Sequence, residues 1–361
     1  MKKIVIVYGG KSPESEISIL TSLKVYKELS KVNKNIYLVF LDKEGNFYFG
    51  KNLLKLENYQ DKKGFRKIKF YSVNNTYYFK GVKRYYFDEV LIIGHGKNIE
   101  DGTLSSYFEV NNIPYLYDDL SNASLFIDKV KTKLVLQSLN IPLIPYQIVH
   151  QFNKNIEIKL NYPIILKPSR LGSSIGIEKV NSESELKVKM LSSFRYDETL
   201  LLEEYIEEKV EYNISILGYE DKMIFSSIEE VSSSSEVLSF YDKYDYSSSN
   251  EKRLISPSLP KEIKDKILEI SSKIFSSLNL CGLYRFDLIF NKKTGDIYLN
   301  EVNSLPGSLS YYLFEDRGIK MSELLLMYID ILETKNKRRN HLLVNFEEGF
   351  INNIDLDKLK K

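Results

Sequence analysis

Residues 4–41 constrain the fold most. Residues 4–8 are an unbroken apolar, β-branched run, the pattern of a strand buried on both faces of a parallel sheet. A Gly9-Gly10 turn follows, and Ser12-Pro13 suit a helix N-cap and first helical position. A helix is expected to about Leu29, then a second strand over residues 36–41. Two strands separated by one helix form a βαβ unit, so a doubly wound, parallel α/β start is expected. Residues 89–94 add another buried strand, which leads into Gly94-His95-Gly96.

Further on, the character changes. Around residues 116–121 the chain turns polar and Asp-rich, a boundary signal. Residues 123–139 suggest one helix, stopped by Ile141-Pro142. Residues 162–167 suit a strand entering a Gly/Ser loop, and residues 200–204 suit another, followed by the acidic link Glu207-Glu208. Residues 213–217 and 222–228 continue an antiparallel sheet. Serine-rich patches at 232–235 and 247–249 bracket a Tyr-rich segment expected to be a mobile loop. Residues 261–280 are amphipathic at helical spacing, with Gly282 as the expected terminator.

Composition narrows the function classes. A chain of 361 residues, 43% hydrophobic and 28% charged, suits a soluble protein of two or three domains. A net charge of +2 gives no sign of a nucleic-acid surface. One cysteine, Cys281, excludes an intrachain disulfide framework and reads as buried packing, not as a nucleophile. Three histidines without clustered cysteines argue against a zinc site. Met1-Lys2-Lys3 resembles the start of a signal peptide, but the apolar run behind it is too short and no segment approaches a membrane span. A cytoplasmic protein is expected.

Chemistry concentrates in a second pattern. Arg285-Phe286-Asp287 and Glu301-Val302-Asn303 flank apolar residues joined by residues 291–295, so a β-hairpin is expected. Alternation puts Arg285 and Asp287 on one face, and Glu301 and Asn303 likewise. With the turn near Thr294, Asp287 falls opposite Glu301 and Arg285 opposite Asn303. Alone, this patch fits a surface ion-pair cluster as well as a Mg²⁺ site, whose hard cation takes one or two carboxylates plus substrate phosphates. The loop at 167–176 offers Lys167 and a run of glycines and serines to phosphate oxygens, though a flexible turn has the same composition. It is not a Walker loop, because the lysine precedes the glycines. Glu14 and Glu16 at a helix start, His95 in a strand-end turn, and Glu203, Glu204 and Glu211 at a strand end and beyond a linker each have equally plain explanations: a helix dipole, a solvated turn, an exposed acidic face.

Their joint order is specific. Gly9-Gly10-Lys11-Ser12-Pro13-Glu14-Ser15-Glu16-Ile17-Ser18, Gly94-His95-Gly96 with Glu100-Asp101-Gly102-Thr103, Asp128-Lys129, the loop at 167–176, Arg285-x-Asp287 and Glu301-x-Asn303-x-x-Pro306-Gly307 together resemble the D-alanine–D-alanine ligases of the ATP-grasp superfamily over residues 4–330. The resemblance implies an N-terminal doubly wound α/β domain (1–121), then an ATP-grasp fold of two antiparallel-sheet subdomains (122–206 with the phosphate loop, 207–333 with the metal site). A peripheral basic tail (334–361) is expected beyond them. It implies ATP-dependent joining of two D-alanines through an acyl phosphate, for peptidoglycan precursor synthesis.

By position the resemblance gives each residue a role. Asp287, Glu301 and Asn303 would hold two Mg²⁺ ions, for which Mn²⁺ could substitute, while Lys129, Lys167, Ser173 and Ser174 would contact phosphates. Glu203 would meet the adenine amine, the backbone of Glu204 and Ile206 the ring edge, and Glu211 the ribose. Glu16 would hold the first D-alanine's ammonium, within a network of Glu16, Ser173 and a loop tyrosine, with His95 nearby. Arg285 and the Gly307 amide would stabilise the oxyanion. Lys243 and Tyr244 are the expected functional loop pair, with Tyr246 as rival. Tyr312, where the family often has Ser, and Leu313 would lie at the second substrate. A homodimer without nucleic-acid or membrane partners is implied. Alternatives are a D-alanine–D-lactate ligase, which in the family carries a loop His absent from residues 232–256 here, another ATP-grasp carboxylate–amine ligase, or a non-catalytic nucleotide-binding regulator.

Overall fold

The computed structural model describes residues 2–153, 156–232, 252–339 and 341–342. Its first sheet grows from the βαβ unit. β1 (Ile4–Gly9) pairs in parallel with β2 (Ile36–Leu41) across helix α1 (Ser15–Val32). The helix starts at Ser15, not at Pro13, because Ser12 forms a turn that bonds the Glu14 and Ser15 amides. Between β2 and the next parallel strand lies a meander that the apolar pattern did not announce: β3 (Phe47–Phe49), β4 (Arg66–Val73), β5 (Thr76–Lys80) and β6 (Arg84–Phe87), all antiparallel. Asn74-Asn75, both at positive φ, form its tight turn, and the fully buried Phe79 packs edge-on with Tyr37 and Phe70. β7 (Glu89–Ile92) and β8 (Tyr115–Leu116) complete an eight-stranded sheet in the order β6-β5-β4-β3-β2-β1-β7-β8, parallel only from β2 to β8.

After α2 (Thr103–Val110), the helix expected over 123–139 is two: α3 (Leu120–Ile127) and α4 (Lys129–Ser138). Asp128 between them is extended; its carboxylate caps α4 through the Lys131 amide and accepts the Ser169 hydroxyl at 2.6 Å. A four-stranded antiparallel sheet follows, made of β9 (Tyr146–His150), β10 (Ile164–Pro168), β11 (Glu178–Val180) and β12 (Thr199–Glu204), with α5 (Glu183–Ser193) packed on it.

The third sheet holds β13 (Lys209–Tyr219), β14 (Lys222–Phe225), β15 (Glu229–Ser232), β16 (Lys252–Ile255), β17 (Cys281–Asn291) and β18 (Ile297–Asn303). Its order is β16-β15-β13-β17-β18, with β14 on β13, and α6 (Lys261–Ser277) packs against it. That helix ends at Asn279, which takes the left-handed turn, while Gly282 lies inside β17. Cys281 is buried, and burial pushes its thiol up to about 12.

α7 (Tyr311–Glu315) and α8 (Met321–Arg339) close the chain's described part. Residues 334–339 are therefore not a tail. They extend α8 onto the first sheet's edge, where buried Lys335 lies 3.1 Å from Asp119 and 3.6 Å from Asp118. The first core accordingly combines the N-terminal sheet, α8 and the adjoining ends of β13 and β17 (Leu217, Leu283).

Candidate active site

The hairpin β17–β18 sets the site's floor. Its register pairs Arg285 with Asn303 and Asp287 with Glu301, as alternation about Thr294 requires. A bulge then inserts Asn300 opposite no partner and turns its side chain toward the same cavity. The Asn300 amide oxygen accepts from Lys167 Nζ at 3.1 Å. Arg285 grips Asp287 with two hydrogen bonds, 2.6 Å from Nε and 2.8 Å from Nη2, and Asn303 Nδ2 adds a third at 3.1 Å. Burial opposes charge on Arg285, but the Asp287 carboxylate outweighs it and raises the guanidinium further.

Asp287, Glu301 and Asn303 form a hard-oxygen donor set suited to Mg²⁺. Among the described residues, no group of three or more His, Cys, Asp or Glu could hold a metal. The set fits an ion that draws its remaining ligands from substrate phosphates, and such an ion must share Asp287 with Arg285.

Across the cavity stands the loop from β10. Ser173 and Ser174 adopt positive φ (50° and 59°), and Lys129, the first residue of α4, donates to the Leu171 carbonyl. The loop passes close to the first helix's entry turn: a Cβ on Gly172 would lie 2.9 Å from the Glu14 carboxylate, which would have to shift. Ser173 Oγ makes a short hydrogen bond to Glu14 Oε1.

That contact corrects the Glu16 expectation. Glu14 is buried and lines the cavity, whereas Glu16 is exposed and lines a different one beside Asp42 and Lys62. Glu14 lies in the turn before α1 and Glu16 within the helix, so the two side chains leave in different directions and Glu14 is the one that meets Ser173. Burial, and then the Glu100 charge, push the Glu14 carboxyl up, against Ser173, His95 and Lys129. His95 is buried with Nε2 3.1 Å from Thr21 Oγ1 and Nδ1 3.9 Å from Glu100. Burial lowers its pKa, but Glu100 and Glu14 outweigh this and raise it.

One cavity of 530 Å³ thus joins Glu14, His95, Lys129 and Ser173 to Glu211, Arg285, Asp287, Glu301, Asn303, Gly307 and Tyr312. Gly307 opens a turn in which Ser308, Leu309 and Ser310 are all left-handed, a strained segment that faces the cavity at Ser308.

Other expected residues lie differently. Glu203 does not line the cavity; it is buried between Lys167, in close contact, and Lys133 at 2.5 Å. Burial would raise it, but the two ammonium charges hold it at about 2. The Glu204 amide donates to the Pro145 carbonyl, its carboxylate takes both Asn161 donors, and half-buried Ile206 sits in the link between the sheets. Glu211 pairs with Lys209 at 2.8 Å. Leu313 faces the core, a helical step round from Tyr312, and its carbonyl accepts the Ser227 amide. Lys243, Tyr244 and Tyr246 lie outside the described residues. Four residues escaped the sequence reading: Asn300, Lys133, Glu229 and Arg253. Buried Glu229 accepts from Tyr312 Oη at 3.0 Å and from Asn213 Nδ2 at 3.1 Å, and lies 3.5 Å from Arg253. No local motif marks any of them, because their partners are distant in sequence.

A family model described as D-ala D-ala ligase N-terminus matches residues 3–116, and one described as D-ala D-ala ligase C-terminus matches residues 135–330. The D-alanine–D-alanine ligase of Thermosipho melanesiensis is 33% identical over 336 residues, covering 90% of this chain and 92% of that protein. That of Campylobacter jejuni is 32% identical, covering 89% and 92%. Among solved structures, the VanG D-Ala:D-Ser ligase of Enterococcus faecalis superposes with a TM-score of 0.78 at 27% identity, covering 92% of this chain and 99% of that one. The D-alanine–D-alanine ligase of Helicobacter pylori gives 0.71 at 27% identity, covering 91% and 98%.

Proposed function

The chain belongs to the D-alanine–D-alanine ligase family, and on that premise we propose that it joins two D-alanines into D-alanyl-D-alanine at the cost of ATP, through an acyl phosphate, for peptidoglycan precursors. One observation carries the site assignment: a single cavity gathers Glu14, Ser173, Arg285, Asp287, Glu301 and Asn303 from three separate units of the fold.

On this reading Glu14, in the place expected of Glu16, holds the ammonium of the first D-alanine, with Ser173 fixing its carboxylate. His95, whose protonated form Glu100 and Glu14 favour against burial, stands beside that substrate. Lys129 and the Ser173 and Ser174 amides take phosphate oxygens, and Lys167 does so from a position anchored by Glu203 and Asn300. By family position the Glu204–Ile206 link takes the adenine and Glu211, which lines the cavity, the ribose, while Glu203 stays buried as the anchor of Lys167. Mg²⁺ on Asp287, Glu301 and Asn303 would supply charge neutralisation at the β- and γ-phosphates. Arg285 and the Gly307 amide face the reacting carboxyl, where negative charge grows as the amine attacks. Because Arg285 and Asp287 share hydrogen bonds, neither can move without the other. A cytoplasmic location and a homodimer rest on the family resemblance alone, as do Lys243 and Tyr244 as a loop pair. No observation favours the ester-forming alternative.

The test is D-alanine-dependent phosphate release from ATP with Mg²⁺, with the dipeptide identified by mass. Wild-type protein should make it, and Glu301→Gln should keep its fold while losing most turnover. Absence of the dipeptide from wild-type reactions would refute the ligase reading; near-normal turnover in the variant would refute the metal assignment alone.

A further inference from the structure

Lys129 and Lys133 stand four residues apart on α4, so they leave the same helix face one turn from each other. Lys129 reaches the phosphate loop at the Leu171 carbonyl. Lys133, with 4% of its side chain exposed, reaches Glu203 at 2.5 Å. Glu203 lies on β12 opposite Ile165 of β10, and its other oxygen is in close contact with Lys167 Nζ. Among the described residues, neither Lys133 nor Lys167 makes a second ion pair. Two ammonium groups thus share one carboxylate in a largely buried cluster, which holds one positive charge in excess.

An uncompensated buried charge is costly, so the excess calls for an anion. The surroundings of each lysine decide where that anion can come. Lys133 is enclosed: beyond Glu203 it meets the Tyr146 ring, 5.4 Å from the centroid. Lys167 stands directly behind the cavity wall. Its Nζ donates to the Asn300 amide oxygen at 3.1 Å, and Glu301 and Glu211 attract it, all three of which line the cavity. The excess is therefore presented by Lys167 toward the candidate nucleotide site.

We propose that Lys133 is a positioning residue for the nucleotide: it neutralises Glu203, so that Lys167, which the same carboxylate holds in place, keeps its charge for the phosphates. With one lysine and one carboxylate, anchoring and neutralisation would be the same contact. The second lysine separates them. Without Lys133, Glu203 and Lys167 would form a neutral pair, and Lys167 would be fixed but without charge to offer. This inference rests on the ligase reading, and within it on ATP binding at this cavity.

Calorimetric titration with ADP in the absence of metal reads the contact without turnover. The three groups sum to +1 in the wild type, to 0 in Lys133→Met and to +1 again in the double variant Lys133→Met/Glu203→Gln. ADP should bind Lys133→Met at least about tenfold more weakly, the scale of one charge-assisted contact, and the double variant should recover most of the loss. Lys133→Gln, which can still donate to Glu203 but carries no charge, should show the same loss and serves where Lys133→Met does not fold. The KM for D-alanine should stay within about twofold in either single variant. A merely structural defect in α4 would displace the phosphate loop, and with it Ser173 on Glu14, and would raise that KM in parallel. Unchanged ADP affinity in the single variants, a parallel rise in the KM for D-alanine, or no recovery in the double variant overturns the inference. Wild-type protein that binds no ADP refutes the nucleotide site itself and the inference with it, a failure distinguishable because it precedes any substitution.

Discussion

Glu14 Oε1 accepts the Ser173 hydroxyl, while Glu16, two positions on, lines the neighbouring cavity of Asp42 and Lys62. The motif was legible but the choice between its two acids was not, since both follow the glycine turn. The choice depends on where the helix starts, which Ser12 decides by bonding the Glu14 amide. Burial beside Glu100 raises Glu14, so its ionised form is costly to the fold. A carboxyl raised on folding stabilises below its unfolded value near 4.5 and loses that contribution as pH rises through the folded value. Two outcomes follow for Glu14→Gln. It should lower kcat/KM for the first D-alanine at least about tenfold, the value of one charge-assisted contact, and remove an acid limb that lies above the usual glutamate range. At pH 7 it should also unfold at higher urea than wild type. Glu16→Gln should change neither. A site loss in Glu16→Gln with a silent Glu14→Gln would reverse the assignment.

Elements were legible where their apolar runs are continuous. β1, β2 and β7 read directly, and the pairing of Asp287 with Glu301 and of Arg285 with Asn303 was expected from a turn near Thr294, although the pairs nearer the turn are shifted by one. What stayed hidden depends on distant partners. The break between α3 and α4 is fixed by Ser169 bonding Asp128 from 41 residues away, and the Asn300 bulge shows only in the pairing. The meander β3–β6 mixes lysines and tyrosines into half-exposed strands, so period-two contrast is weak, although Asn74-Asn75 was a readable turn. Helix α4 joins strand β12 through another unread contact, Lys133 on buried Glu203. Burial lowers Lys133 and opposes charge on Glu203, but Lys167 and Lys133 together hold Glu203 at about 2. A carboxyl depressed on folding stabilises above its unfolded value near 4.5 and loses this as pH falls towards 2. Lys133→Met should therefore cost about 3 kcal/mol at pH 7, as for a broken buried pair, and shift acid unfolding to higher pH. Urea and acid titrations followed by circular dichroism read both. Equal stability at pH 7 and at pH 4 relative to wild type would show that the pair contributes nothing.

At the scale of the molecule, the cavity belongs to no single unit. Glu14 comes from the turn before α1, Ser173 from the β10 loop, and Arg285, Asp287 and Glu301 from the third sheet. Each motif could be read locally, but their convergence is a property of packing, in which α8 ties the third sheet to the first through Lys335 and the shared core. Substrate binding should consequently stabilise the whole chain. Two carboxylates and one amide make an incomplete cage, and Asp287 already carries Arg285, so Mg²⁺ alone should bind weakly and move the melting temperature by no more than about 1 °C. Phosphate oxygens would complete the coordination. At about a hundred times its dissociation constant, Mg²⁺-ATP should add about 2.7 kcal/mol, roughly 3–4 °C for a chain of this size. Glu301→Gln should leave the shift with ATP alone intact and remove most of the extra shift due to Mg²⁺. Thermal unfolding measures this without turnover, so it separates metal binding from chemistry. A full shift from Mg²⁺ without nucleotide, or an unaltered Mg²⁺ increment in the variant, would place the metal elsewhere than on the hairpin.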